Sequence, residues 1–147
     1  MKALFKSIVP LLFILLFTYA AASKLLDFDR FRAQLYLQPF PHTLADVLLY
    51  LLPVTELLLA LLLCFNRSRF AGLVLSTCLM AIFTAYISLV LLHYWGDVPC
   101  SCGGILSHMS WTVHLAFNWA FILTGIAGIA LHLTDRKKGQ KQLTSTL

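Results

Sequence analysis

Two cysteines separated by a single residue are the groups in this sequence best suited to chemistry. Cys100 and Cys102 lie in the segment DVPCSCGG, residues 97–104. A disulfide between residues i and i+2 needs a sharp backbone bend, and the two following glycines supply the freedom for it. Strained, exposed disulfides are the labile and catalytic ones. The pair therefore predicts a thiol–disulfide couple, in which Cys100 reacts with a partner protein and Cys102 resolves the mixed disulfide.

The same segment permits two other interpretations. Cys100, Cys102, His108 and Met109 combine thiolate, imidazole and thioether groups, a set that suits Cu(I). Their spacing lacks the paired CxxC pattern of a structural zinc site, and no metal ligand is assigned. In the third interpretation the disulfide is only structural, and the protein is a non-enzymatic membrane assembly factor that docks a redox partner.

Composition determines the environment in which these cysteines work. Of the 147 residues, 60% are hydrophobic and 12% are charged, whereas a soluble domain carries about 25% charged residues. Too little polar surface remains to cover such a core in water, so the bilayer must be the solvent. The net charge of +5 does not indicate nucleic-acid binding, because eight of the eleven Lys and Arg residues lie in three short segments.

Four apolar runs predict an all-α, polytopic membrane protein built as a four-transmembrane-helix bundle. The predicted spans cover residues 4–23, 44–65, 70–95 and 111–133. They form one membrane domain, residues 1–134, followed by a polar cytoplasmic tail, residues 135–147. The first run also has the basic start, apolar middle and small-residue end of a cleavable signal peptide. A retained helix is preferred because the run is long for a signal.

The segment between the first two spans, residues 24–43, is too polar to cross a membrane. Apolar residues at positions 28, 31 and 35 follow a helical stripe. They predict a short amphipathic helix that lies on the membrane surface, with a solvated loop as the alternative.

The basic residues alternate between the two sides of the predicted bundle. The N-terminus, the turn at residues 66–69 and the tail are basic, whereas residues 96–110 contain no Lys or Arg. Positive residues stay in the cytoplasm, so both termini are predicted there and the cysteine loop outside. Removal of a signal peptide after Ala22 would leave the loop on the same side.

Three polar residues within the spans predict a second site. Glu56 lies about halfway through the second span, where a carboxylate costs several kcal/mol and usually has a partner or a role. On the fourth span His114 and Asn118 share a face with Trp111. Glu56, His114 and Asn118 are predicted to line a polar site that accepts a lipid-soluble carrier, a quinone. For Glu56 itself, a buried polar clamp between helices is the preferred interpretation, with Lys24, His114 or Asn118 as its partner.

Other sequence patterns concern packing and cofactors. Ala116, Ala120, Thr124 and Gly128 are four residues apart, which predicts close approach of a neighbouring helix along this row. Cys64 and Cys78 are expected to be small packing residues in the core. The sequence contains no dinucleotide fingerprint, phosphate loop or haem-attachment CxxCH, so it predicts no nucleotide or haem cofactor.

The order of these features resembles the MauE branch of the DoxX-like membrane proteins, a family named for methylamine utilisation. The resemblance extends over nearly the whole chain, up to about Leu133. It rests on Lys24, Phe31, Pro53-Val54-Thr55-Glu56, Cys100-Ser101-Cys102-Gly103-Gly104, Trp111 and Asn118. The sequence departs from the family at the second glycine, where a Gly-Phe continuation is more usual.

The resemblance implies a four-helix protein of the bacterial cytoplasmic membrane. Proteins of this family are needed to produce active methylamine dehydrogenase, and they are thought to act with a thioredoxin-like or disulfide-containing partner outside the cytoplasm. The wider group is similar in architecture to quinone-linked thiol oxidoreductases of the VKOR type. By position, Cys100 and Cys102 would be the redox pair, and Lys24 and Glu56 the recurring polar residues of the bundle.

Overall fold

The structure, a computed structural model, describes residues 2–95 and 110–145 and places the side chains of residues 5–95 and 110–135. All regular structure within these ranges is helical. The helices are α1 (Lys2–Leu26), α2 (Phe28–Tyr36), α3 (His42–Cys64), α4 (Arg69–Leu91) and α5 (Trp111–Ser145). Four of them are long and apolar enough to cross a membrane, all except α2. The predicted four-span, all-α architecture is confirmed.

Two helix ends differ from the predicted limits of the spans. Helix α4 ends at Leu91, before the predicted limit of 95, because the chain turns back on itself there. His93 has a φ of 53°, its amide donates to the Val90 carbonyl (2.9 Å), and the Tyr94 amide donates to the Leu89 carbonyl (3.2 Å). These bonds form a Schellman turn, with a histidine in the left-handed position that glycine usually occupies. Helix α5 continues through Ser145, into the segment predicted as a polar tail.

The segment after the first span forms α2, as the stripe at positions 28, 31 and 35 predicted. Phe31 and Leu35 are buried, and they pack against Ala45 and Leu49 at the start of α3. The polar side of α2 carries charged residues and is exposed. The amphipathic helix is therefore confirmed, while its location on the membrane surface stays a prediction.

Helix α1 occupies the centre of the bundle, because it packs against α3, α4 and α5. Its side chains Val9, Phe13 and Phe17 are almost fully buried. The main core is completed by residues from the other three long helices: Leu59, Ala60, Leu63, Leu73, Met80 and Ile122. The first apolar run therefore forms part of the helical core, while its retention rather than removal as a signal peptide stays a prediction.

The close approach of α5 to its neighbours occurs at two glycines. A Cβ added at Gly125 would collide with the Thr77 hydroxyl oxygen, and one at Gly128 would lie 3.0 Å from a methyl carbon of Leu73. Of the predicted row, Gly128 lies at this contact, whereas Ala116 and Ala120 are exposed. The prediction was wrong for these alanines because residues four apart do not stay on one face of a helix with 3.6 residues per turn. The contact is made instead by Gly125 and Gly128, which are three residues apart.

Cys64 and Cys78 correct a second packing prediction. Both cysteines are free and exposed on the surface of the bundle, rather than buried in its core. In a membrane-spanning bundle an outward position in a span is apolar, so a cysteine there satisfies the hydropathy pattern without packing against another helix.

Candidate functional site

A buried ion pair joins α1 to α3 within the helical bundle. The Lys24 ammonium nitrogen lies 2.8 Å from Glu56 Oε1, and the two residues are 6% and 2% exposed. Lys24 also donates to the Ala20 carbonyl (3.2 Å) and lies 5.8 Å from the centre of the Phe31 ring. Lys24, one of the three predicted candidates, is thus the ion-pair partner of Glu56.

This ion pair lines a large cavity in the bundle, which we call the bundle cavity. Its volume is about 560 Å³, within the range typical of small-molecule sites. All five helices contribute to the lining, and most of the lining side chains are aliphatic or aromatic. Its polar and ionisable side chains are Lys24, Gln38, Thr55, Glu56, Tyr86, His114 and Asn118.

Helix α5 brings His114 and Asn118 to the bundle cavity together with Trp111. The helix begins after Ser110, whose hydroxyl accepts a bond from the Val113 amide (3.4 Å), the usual arrangement at a helix N-cap. One turn separates His114 from Asn118, and both are buried. The three residues predicted as a polar site, Glu56, His114 and Asn118, therefore border one cavity.

Two polar atoms in this lining lack partners within the described residues. Neither Glu56 Oε2 nor the Asn118 side-chain nitrogen has a hydrogen-bond partner there, although both atoms are buried. A buried polar group without a partner costs about 1–3 kcal/mol. A ligand that accepts a bond from Asn118, or donates one to Glu56, would recover this energy.

A second polar contact lies in the lining of the bundle cavity, and no pattern in the sequence predicted it. The Tyr86 hydroxyl donates to Gln38 Oε1, and the Gln38 amide donates to the Gln34 carbonyl (3.0 Å). The Tyr86 ring also lies 5.9 Å from the Trp95 ring. Because Gln38 follows α2 and Tyr86 belongs to α4, only the tertiary structure brings them together.

The predicted redox and copper residues, Cys100, Cys102, His108 and Met109, lie outside the described residues. Within residues 2–95 and 110–145, no group of three His, Cys, Asp or Glu side chains is placed to hold a metal ion. His93 is exposed in the turn after α4. The described part of the site is therefore the bundle cavity and the two ends of the cysteine loop.

The comparisons with known proteins give one match. A family model described as "Methylamine utilisation protein MauE" matches residues 2–131. No curated protein matches the chain, and no solved structure does either. The matched range contains the first three apolar helices, most of the fourth span, the Lys24–Glu56 pair and the segment of the two cysteines. The chain is therefore a multi-pass membrane protein that belongs to the MauE family.

Proposed function

We propose that the protein carries out thiol–disulfide exchange outside the cytoplasm through Cys100 and Cys102, linked to a quinone in the bundle cavity. The partner is a thioredoxin-like or disulfide-containing extracytoplasmic protein. In line with the name of its family, the proposed role is maturation of an enzyme of methylamine utilisation such as methylamine dehydrogenase.

The observation that carries this proposal is where the cysteine loop begins and ends. On one side, Trp95 packs against Tyr86, which lines the bundle cavity. On the other side, Trp111 lines the same cavity directly. Both attachment points of the segment with Cys100 and Cys102 therefore adjoin the cavity, an arrangement that suits electron transfer between a loop dithiol and a bound acceptor.

The exchange needs an acceptor of two electrons and two protons. A thiolate of the partner attacks the Cys100–Cys102 disulfide and forms a mixed disulfide, and the second partner thiol then displaces the protein's cysteine. The partner gains a disulfide and the protein is left with two thiols. A quinone supplies the acceptor, because it becomes a quinol when it takes up the two electrons and two protons released as the disulfide forms again. The reverse sequence would reduce the partner.

The residues that line the bundle cavity suit such a ligand. The Asn118 side-chain nitrogen can donate a hydrogen bond to a quinone carbonyl, and Glu56 Oε2 can accept one from a quinol hydroxyl. The Glu56 carboxylate and the His114 imidazole can accept and pass on protons at this position. Aromatic side chains, including Phe17, Phe31 and Trp111, provide apolar walls for a ring.

Trapping of the partner tests the exchange reaction. We expect Cys102→Ser to accumulate a mixed disulfide with an extracytoplasmic protein, because the Cys100 thiol can still attack a disulfide of the partner, whereas the Cys102 thiol that would release the partner is gone. Non-reducing electrophoresis and mass spectrometry detect the complex. Cys64→Ser and Cys78→Ser are matched controls and should trap nothing.

Two outcomes would contradict the exchange. One is that neither Cys100→Ser nor Cys102→Ser ever holds a partner. The other is that the double serine variant still matures the partner enzyme, which is the result expected if the protein is only an assembly scaffold.

A further inference from the structure

The bundle cavity lies in a wedge between α3 and α4. The two helices are in close contact near the turn that joins them, where a Cβ added at Gly72 would lie 3.2 Å from the Leu62 carbonyl carbon. Farther along, Leu51 of α3 and Ile82 of α4 both line the cavity, yet they are 51% and 64% exposed. Side chains that line a cavity and also face outward mark an opening to the surroundings.

This opening faces the bilayer rather than water. Leu51 and Ile82 lie within helices that are long and apolar enough to cross a membrane. At the back of the cavity, by contrast, Glu56 and Asn118 are each 2% exposed and carry the buried atoms that lack partners. The cavity is therefore polar at its inner wall and apolar at its mouth.

We propose that the cavity is a lateral binding site for a tailed quinone that enters from the bilayer between α3 and α4. The ring lies against Asn118 and Glu56, and the apolar tail leaves between Leu51 and Ile82. The identity of the ligand rests on the proposed function. A transmembrane helix of a partner protein does not fit the same space, because a helix about 10 Å wide would fill the mouth and leave the polar atoms at the back unpaired.

The test compares two quinones that differ only in the tail. Tetramethyl-benzoquinone and trimethyl-decyl-benzoquinone are fully substituted, so neither adds to cysteine thiols. Their radiolabelled forms are titrated against the protein in lipid nanodiscs. We expect Leu51→Trp and Ile82→Trp to weaken binding of the decyl compound about tenfold, because the indole occupies the path of the tail, and to leave binding of the tetramethyl compound unchanged.

The remaining variants distinguish contacts with the quinone ring from contacts with its tail. Asn118→Leu should weaken both compounds equally, because it removes a donor to the ring. Leu58→Trp and Leu75→Trp are matched controls, since these leucines are similarly exposed on α3 and α4 but do not line the cavity. They should change neither affinity.

Three results would overturn the lateral site. The first is that Leu51→Trp and Ile82→Trp bind the decyl compound as tightly as the wild type does. The second is that the control variants lose as much affinity for it. The third is that neither quinone binds the wild type. The last result would also remove the quinone from the proposed function, while trapping of a mixed disulfide would still support thiol exchange. If both quinones bind the wild type and the decyl compound binds Leu51→Trp and Ile82→Trp equally well, only the route between α3 and α4 is excluded.

Discussion

At the scale of single residues, the Lys24–Glu56 pair is the central feature of the bundle. A lysine near the end of a membrane helix usually extends its ammonium group outward to the membrane surface. Lys24 instead reaches back along α1, to the carbonyl of Ala20 and the carboxylate of Glu56. The cost of burying each charge is offset only while the other is present, so the pair fixes α1 against α3 beside the bundle cavity.

Breaking this pair is expected to destabilise the protein strongly. Glu56→Gln or Lys24→Met should each lower the free energy of unfolding by about 3–5 kcal/mol, because each leaves one buried charge without its partner. The double variant Lys24→Met/Glu56→Leu should recover most of that loss. Unfolding in mixed detergent micelles, followed by circular dichroism, measures all three.

An exposed carboxylate provides the control for this cycle. Asp29→Asn, on the exposed side of α2, should change the free energy of unfolding by less than about 0.5 kcal/mol. If the double variant is as unstable as the single variants, the loss of stability does not arise from an uncompensated buried charge.

At the scale of helices, small residues determine how closely α5 approaches the rest of the bundle. Gly125 lies against Thr77 of α4. A Cβ added at Gly125 would lie 3.2 Å from the outermost ring carbon of Phe13. Thr77 can take this position because its hydroxyl donates to the Leu73 carbonyl (2.8 Å), within its own helix. Without a hydrophobic driving force between helices in lipid, such close packing supplies much of their association energy.

Enlarging this contact is expected to separate the helices. Gly125→Ala should lower the free energy of unfolding by about 1–3 kcal/mol through overpacking, and adding Thr77→Ala should restore part of it. Ala120→Leu, on the exposed face of α5, is the control and should be nearly neutral. Thermal unfolding in detergent measures the series. An equal loss from Gly125→Ala in the presence and absence of Thr77→Ala would show that the two residues are not in contact.

At the scale of the whole molecule, the bundle holds a largely apolar cavity, with a few polar groups in its wall, at the end from which the cysteine loop leaves. Helix α1 fills the centre of the other end, with Val9 and Phe13 in the core and Lys6 paired with Asp135 of α5. At the end where the cysteine loop attaches, Trp111 lines the cavity and Trp95 packs against Tyr86, another lining residue. This asymmetry is what a protein needs if it links a carrier in the membrane to a partner outside.

Labelling of single cysteines tests the predicted orientation. In variants that retain one cysteine each, a membrane-impermeant maleimide added to intact cells should modify Cys100 or Cys102, because the loop is predicted to be outside. It should modify Cys64 only after the membrane is permeabilised, because Cys64 is the last residue of α3, at the end predicted to be cytoplasmic. Cys78 should stay unlabelled in both conditions, because it lies within a predicted span and a membrane-impermeant reagent does not enter the lipid. Labelling of Cys64 in intact cells would show that the orientation is the opposite of the predicted one.

The sequence alone was enough to predict the four spans, the amphipathic α2 and the polar residues that share a cavity. These features depend on local periodicity and on the cost of placing a charge or amide in lipid, both of which can be evaluated residue by residue. That is why the stripe with His114 and Asn118 correctly predicted a buried polar face, and why Glu56 attracted attention before its partner was known.

Tertiary structure decided which residue meets which. Lys24 rather than His114 or Asn118 neutralises Glu56, Tyr86 binds Gln38, and Gly125 rather than Ala116 or Ala120 provides the close helix contact. Hydropathy cannot make these distinctions, because in a bilayer the outward and inward faces of a helix are both apolar. The rotation and depth of each helix depend on the shapes of its neighbours, and these are properties of the assembled bundle.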